Sequence, residues 1–358
     1  MKTLLTLLAF IALSIQAAQK PNVVILLVDD MGYGDPKCFN PKSRLKTPAI
    51  DRLAREGLMF TDAHAPHSTC IASRYGLLTG RYPLRDNHRF IKPKKITLPK
   101  LLKRNGYNTG MSGKWHLGFD DLNPNEWDRK LTGGPVDRGF DTFFGMWASL
   151  DWPPYFYVKD RRAVELPTED IDGYGWWTPD RFYSGKWKPG KIAPNFKHVE
   201  ATPRFTSEAI RLIDQFANKE KPFFAMLSFY SVHTPLIGRP DLVAKYKKKA
   251  AKINGQEFGD EEQIFGTRPR KVRILQKHAV YAAMVEAMDQ AVGKVMKKVN
   301  DLGLEDEVVI CFTSDNGGLS TSEGSPTSNL PLRGGKGWIY EGGIREPFIV
   351  KWPGVTRP

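Results

Sequence analysis

Asn22-Val23-Val24-Ile25-Leu26-Leu27-Val28 runs directly into Asp29-Asp30-Met31-Gly32-Tyr33-Gly34-Asp35, and this join decides the fold class. The first seven residues are nearly all apolar and largely β-branched, the pattern of a strand buried on both faces of a parallel sheet. The two carboxylates fall where that strand ends, and ligands of open α/β sheets bind at strand ends. Adjacent buried carboxylates repel unless a cation lies between them, and hard oxygen donors suit Ca²⁺ or Mg²⁺. An exposed aspartate pair in a turn is the plainer reading of the same residues. Gly32-Tyr33-Gly34 lacks the third glycine of a dinucleotide-binding fingerprint.

Further along, the pattern of strand followed by polar cluster repeats. Tyr107 to Ser112 reads as a strand and exits into Gly113-Lys114-Trp115-His116. Phe223 to Phe229 exits into Tyr230-Ser231-Val232-His233-Thr234-Pro235. Val308 to Phe312 exits into Thr313-Ser314-Asp315-Asn316-Gly317-Gly318, where oxygen donors recur. Phe348 to Lys351 reads as one more strand. Each charged or titratable residue could be an ordinary surface group when taken alone. Helices are expected from Pro48 to Arg55, from Thr97 to Asn105, from Thr206 to about Asn218 and within Val272 to Leu302. Arg333-Gly334-Gly335-Lys336-Gly337 and Glu341-Gly342-Gly343 would let backbone pass close to a ligand and set Lys336 beside it.

Cys70-Ile71-Ala72-Ser73-Arg74 stands just before a short helical run, Tyr75 to Leu78, ended by Thr79-Gly80-Arg81, with Arg74 one turn beyond Cys70 on the same face. Unpaired N–H groups at a helix start favour an anion or an activated nucleophile. A buried structural thiol is the commoner fate of a lone cysteine. The other two cysteines are Cys38 and Cys311. Cys311 falls in a core strand, which favours a plain buried thiol over a Cys38–Cys311 disulfide.

At 358 residues the chain is within reach of one large α/β domain, and 41% hydrophobic and 26% charged residues are ordinary for one. The net charge of +14 suggests an anionic partner; a sulfated polymer would fit, and so would nucleic acid. No nucleic-acid-binding motif accompanies it. The run Lys245 to Lys249 could equally be a solvated helix face. Met1 to Ala18 reads as a secretory signal: Lys2, an apolar stretch from Leu4 to Ile15 too short to span a bilayer, and Ala17-Ala18 for cleavage. No later stretch is apolar enough for a membrane span, so an exported protein, periplasmic or secreted, is expected. Phe140 to Pro203 reads as irregular. Its Trp147, Trp152, Trp176, Trp177 and Trp187 either stack on sugar rings or fill a small core of their own. Ile237 to Arg270 reads as a basic surface excursion.

Cys70-x-Ala72-Ser73-Arg74 with Leu78-Thr79-Gly80-Arg81 resembles the signature of the formylglycine-dependent sulfatases, with Ala72 where the family's usual motif has proline. The order of the remaining motifs is similar too, over roughly Pro21 to Pro358. The resemblance implies the alkaline-phosphatase-like fold: α/β, with a large, mostly parallel mixed β-sheet sandwiched between helices. It implies a catalytic domain over 21–358 carrying an aromatic-rich insertion at about 140–203. The family continues into a smaller C-terminal sheet subdomain, so a chain truncated at its C-terminus is expected. Cys70 would be oxidised by a formylglycine-generating maturation enzyme, and its hydrated aldehyde would attack sulfur, with Asp315 helping to deprotonate it. Asp29, Asp30, Asp315 and Asn316, with the modified Cys70, would hold one divalent cation, Ca²⁺. Arg74 would stabilise the hydrate, and Lys114 and Lys336 would bind sulfate oxygens. His233, with Lys336, would protonate the leaving alcohol. His116 would take a proton from the second hydroxyl as sulfate leaves. The implied activity is hydrolysis of sulfate esters, of carbohydrates or aryl alcohols. Two alternatives stand beside it: a phosphodiesterase or phosphonate monoester hydrolase on the same scaffold, and an unmatured protein that only binds sulfated glycans.

Overall fold

A computed structural model describes residues 20–86, 90–120, 126–171, 189–261 and 270–357. The expected secretory signal and Trp176, Trp177 and Trp187 lie outside these residues. Nine strands form one sheet, in the spatial order 58–60, 348–351, 308–314, 22–28, 223–228, 108–114, 142–146, 158–159, 162–163. The five from 308–314 to 142–146 are parallel, and two short antiparallel strands flank them on each side. The apolar run Asn22–Val28 is central, with Val24 to Val28 buried. A strand with parallel neighbours on both sides and both faces covered has no wet side, which is why its sequence does not alternate.

The helix Ala201–Ala217 packs on Asn108–Lys114, on Phe223–Ser228 and on the long helix Ala279–Asp301. That long helix also receives Pro48–Glu56 and Pro240–Ala250. Leu98–Arg104 packs on Asn108–Lys114 and meets Cys70–Thr79. The expected periodicity over Val272 to Leu302 begins helically only at Ala279, where the His278 side chain accepts from the Tyr281 N–H at 3.2 Å. Arg270–Arg273 is instead a strand paired with Phe258–Glu261. The expected surface excursion therefore contains ordered elements: Leu242 and Tyr246 anchor Pro240–Ala250, while Lys247, Lys248 and Lys249 stay exposed.

The segment expected to be irregular supplies the fifth parallel strand, Thr142–Met146. Its sequence gives little sign of this, because five residues with a glycine carry no period of their own. The ladder is supplied by its neighbour. Gly145 makes it possible: a Cβ there would lie 1.8 Å from the Gly113 carbonyl oxygen. Beyond that strand the aromatics pack largely on one another. Trp147 lies 5.4 Å from Trp127 between ring centroids, Trp127 lies 4.8 Å from Phe156, and Tyr157 lies 4.5 Å from Phe196. Trp152 is 46% exposed. The three cysteines are free thiols, and burial pushes Cys311 up to about 11.

Asp35 is fully buried and ties three chain segments together. It accepts from the Gly32 N–H at 2.9 Å, from Gln276 Nε2 at 3.0 Å and from the hydroxyls of Tyr281 and Thr327. Asp35→Asn keeps the shape but turns one acceptor oxygen into a donor facing donors. Each orphaned buried group costs about 1–3 kcal/mol, so a loss of roughly 3 kcal/mol is expected. Chemical denaturation measures it, and an unchanged midpoint would show that the network does not tie the segments.

Candidate active site at the strand exits

Parallel pairing puts Val28 beside Ser314, so Asp29-Asp30 and Asp315-Asn316 leave the sheet side by side. The ladder carries on past the strands: Asp315 N–H donates to the Val28 carbonyl and Asp29 N–H to that of Ser231. The Asp30 N–H donates to Asp315 Oδ1 at 3.1 Å, and Asn316 Nδ2 donates to Asp30 Oδ1 at 2.7 Å. Asp30 has φ of 60°, a left-handed conformation that costs a non-glycine residue of order 1 kcal/mol and clusters at functional sites.

Cys70 is the first residue of its helix and is 7% exposed. Gly80 ends that helix at φ 65°, its N–H bonded to the Gly76 carbonyl. The cysteine sulfur is grouped with one Asp29 oxygen and one His233 nitrogen, all within 4.8 Å of one another. One turn on, Arg74 is buried: Nε donates to Asp315 Oδ2 at 2.9 Å, Nη1 to Ser228 Oγ at 2.6 Å, and Nη2 lies 3.4 Å from Asp29 Oδ1. Lys114, fully buried at the next strand exit, pairs with Asp29 Oδ2. Gly113 before it sits at φ 114°, where a Cβ would lie 1.8 Å from the Ser228 carbonyl oxygen, so the chain can turn there only as glycine. His116, at φ 59°, follows the neighbouring exit, its N–H bonded to the Trp147 carbonyl.

The glycine-rich loop reaches in from far along the chain. Lys336 N–H donates to the Gly318 carbonyl and Gly337 N–H to that of Ser68, which sets the loop against the approach to Cys70. Lys336 Nζ then lies 2.8 Å from Asp30 Oδ2, 2.9 Å from His233 Nε2 and 2.9 Å from Glu323 Oε1. His233 Nδ1 donates to the Thr234 carbonyl. All ten residues singled out from the sequence are thus buried, and contacts with Asp29, Asp30, Asp315 or their partners link most of them. Glu323, Ser228 and Thr234 were missed. Glu323 lies in a Ser-Thr-Ser-Glu-Gly stretch without periodicity, and only its place in space gives it meaning.

The electrostatics follow from burial. Burial pushes the Asp29 carboxyl up, but Lys114 and Arg74 override it and hold Asp29 below the usual carboxylate range. Asp315, raised by burial and then by Asp29, stands at about 7. Burial, Lys114 and Arg74 hold His116 well below its ordinary value, so its imidazole is neutral and its buried Nδ1 has no hydrogen-bond partner. Asn316 Oδ1 is likewise buried without a hydrogen-bond partner, and Asp29 Oδ1 makes no hydrogen bond, with only Arg74 Nη2 paired to it at 3.4 Å. With one oxygen each of Asp29, Asp30 and Asp315 inside a 4.8 Å group, and the Asn316 acceptor beside them, these oxygens fit a hard divalent cation.

The sulfatase family model matches residues 21–358. N-acetylgalactosamine-6-O-sulfatase of Bacteroides thetaiotaomicron is 29% identical, covering 96% of this chain and 70% of that protein. Human arylsulfatase A is 30% identical over 99% of this chain and 63% of its own length. The chain therefore spans roughly two thirds of the length of these relatives. A solved structure concerned with metabolism of multiple glycosaminoglycans by Bacteroides thetaiotaomicron superposes with a TM-score of 0.76 at 27% identity, covering 95% of this chain and 74% of that one. On this match and on the grouping of its buried motifs, the chain belongs to the sulfatase family.

Proposed function

We propose that this chain hydrolyses sulfate esters of carbohydrates. The observation that carries the reading is Cys70 at a helix start, grouped with Asp29 and His233, with the cations Arg74, Lys114 and Lys336 buried around it. Preorganised positive charge about one candidate nucleophile suits a tetrahedral oxyanion. The carbohydrate class rests on the Bacteroides relative and on the net charge of +14, which suits a polyanionic substrate. Both curated relatives above are sulfatases, which favours this reading over phosphodiester or phosphonate hydrolysis.

Asp29, Asp30, Asp315 and Asn316, with modified Cys70, are the groups that would hold one Ca²⁺, an all-oxygen set once the thiol is oxidised. A cation bound there would polarise a sulfate oxygen. Formylglycine, made from Cys70 by a maturation enzyme, would supply a hydrated aldehyde that attacks through one hydroxyl and lets sulfate leave by way of the other. Arg74, held by Asp315, Asp29 and Ser228, fixes the position of the nucleophile. Lys114 and Lys336 counter the charge on the sulfate oxygens. His233 keeps its Nδ1 proton on the Thr234 carbonyl, which leaves Nε2 and the adjoining Lys336 to supply the proton to the departing alcohol. Neutral His116 has an open Nδ1 with which to take a proton. We further read Met1 to Ala18 as an export signal and residues 21–358 as catalytic, which puts the protein in the periplasm or outside the cell. Among the described residues no helix is long and apolar enough to cross a membrane.

Cys70→Ala is expected to lower kcat/KM on a sulfate ester by at least about 10³-fold, with an unchanged melting temperature; retained turnover would remove Cys70 from the chemistry. Asp30→Asn is expected to abolish stoichiometric calcium in elemental analysis, along with activity. Calcium retained at one equivalent would reassign the cation. The mass of the tryptic peptide carrying Cys70, taken from protein of the native host, is expected to show the aldehyde or its hydrate in place of the thiol.

A further inference from the structure

Glu323 sits behind both groups assigned to the leaving oxygen, and it touches each branch with a different carboxylate oxygen. Oε1 is 2.9 Å from Lys336 Nζ. Oε2 accepts from the Thr234 hydroxyl, and the Thr234 carbonyl in turn accepts from His233 Nδ1. One carboxylate therefore fixes Lys336 directly and His233 through its neighbour. Lys336 has a second anionic partner, Asp30, at 2.8 Å. Asp30 is one of the proposed cation ligands, whereas Glu323 is not, so Glu323 is the anion left to Lys336 itself. The backbone at Glu323 is held at φ 50°, and that of Ser325 at φ 48°. Left-handed non-glycine residues persist where their surroundings over-determine them. The Ser325 carbonyl accepts from Arg273 Nε, which pins the loop from below.

We propose that Glu323 is a positioning residue for leaving-group protonation: it holds Lys336 and His233 in hydrogen-bond contact, so that together they present one proton to the departing oxygen. The proposal rests on the sulfate-ester reading above. Lys336 Nζ lies 2.9 Å from His233 Nε2, so the two nitrogens can be offered to the same departing oxygen. As the ester S–O bond breaks, its electron pair goes to the alcohol oxygen. That oxygen takes the proton, leaving the pair one proton short until solvent returns it. Without Glu323, Lys336 loses its dedicated counter-charge, Thr234 loses its acceptor, and the two nitrogens are free to part.

The consequence is selective, because protonation matters in proportion to how poor the leaving group is. A sugar alkoxide cannot leave without a proton, whereas 4-nitrophenolate can. The test compares wild type, Glu323→Gln and Glu323→Asp on a monosaccharide 6-sulfate and on 4-nitrophenyl sulfate. General-acid assistance contributes on the order of 10²-fold or more, so E323Q is expected to lose about that factor in kcat on the sugar ester and under about threefold on the aryl ester. E323D is expected to recover part of the sugar-ester rate. An equal loss on both esters overturns the positioning role and leaves the sulfatase reading intact. If wild type turns over neither ester nor any other sulfate ester, the reading itself falls and the role of Glu323 falls with it. Should E323Q not fold, Thr234→Val removes one of the two contacts. It is expected to show the same selectivity in weaker form, and an unselective loss there overturns the proposal equally.

Discussion

Asp29, Asp30 and Asp315 cannot share one dry pocket unless positive charge is spread among them, and much of the molecule is arranged around that requirement. Repulsion between carboxylates at this range, away from water, would otherwise protonate them or expel them from the interior. Arg74 answers part of it by bridging Asp315 and Asp29 with one planar group, Lys114 answers another part at Asp29, and Lys336 a third at Asp30. Each cation comes from a different element: a helix one turn beyond Cys70, a neighbouring strand exit, and a distant glycine loop. The sheet order is what makes them converge, because four parallel strands deliver their ends to one edge.

The same charges divide the pocket by task. Toward the 308–314 and 22–28 exits lie the oxygen donors and their unpartnered acceptor atoms. Toward 223–228 and the glycine loop lie the nitrogen groups, His233 against Lys336. Cys70 stands between the two. The left-handed backbone at Asp30 and at His116 turns each chain sharply just past its strand, so that adjacent residues can serve different sides of the pocket. A smoother exit would carry them past it.

Much of this was legible in the sequence, and for a physical reason. A strand buried on both faces must be continuously apolar, so a carboxylate pair at the end of Asn22–Val28 marks both the sheet and its ligand edge in one reading. The glycines around Lys336 were readable because close backbone approach admits no Cβ. What was hidden is whatever depends on another part of the chain. Thr142–Met146 has no period of its own and becomes a strand only because Asn108–Lys114 offers it a ladder. The start of the long helix at Ala279 was blurred because Arg270–Arg273 is just as compatible with helix by composition. Glu323 was invisible because a carboxylate in a polar loop looks solvated until its partners, Lys336 and Thr234, are seen to be buried.

The hydrogen bond from Asp30 N–H to Asp315 joins residues 285 positions apart. A contact with that separation forms only after nearly the whole described chain has come together, since long loops close slowly and late. Until then Cys70 is an accessible thiol, with Lys114 and Lys336 still far from it. Afterwards it is sealed at 7% exposure inside a charged cage. An enzyme that had to reach the Cys70 thiol would meet it more freely in the open polypeptide than in the finished fold.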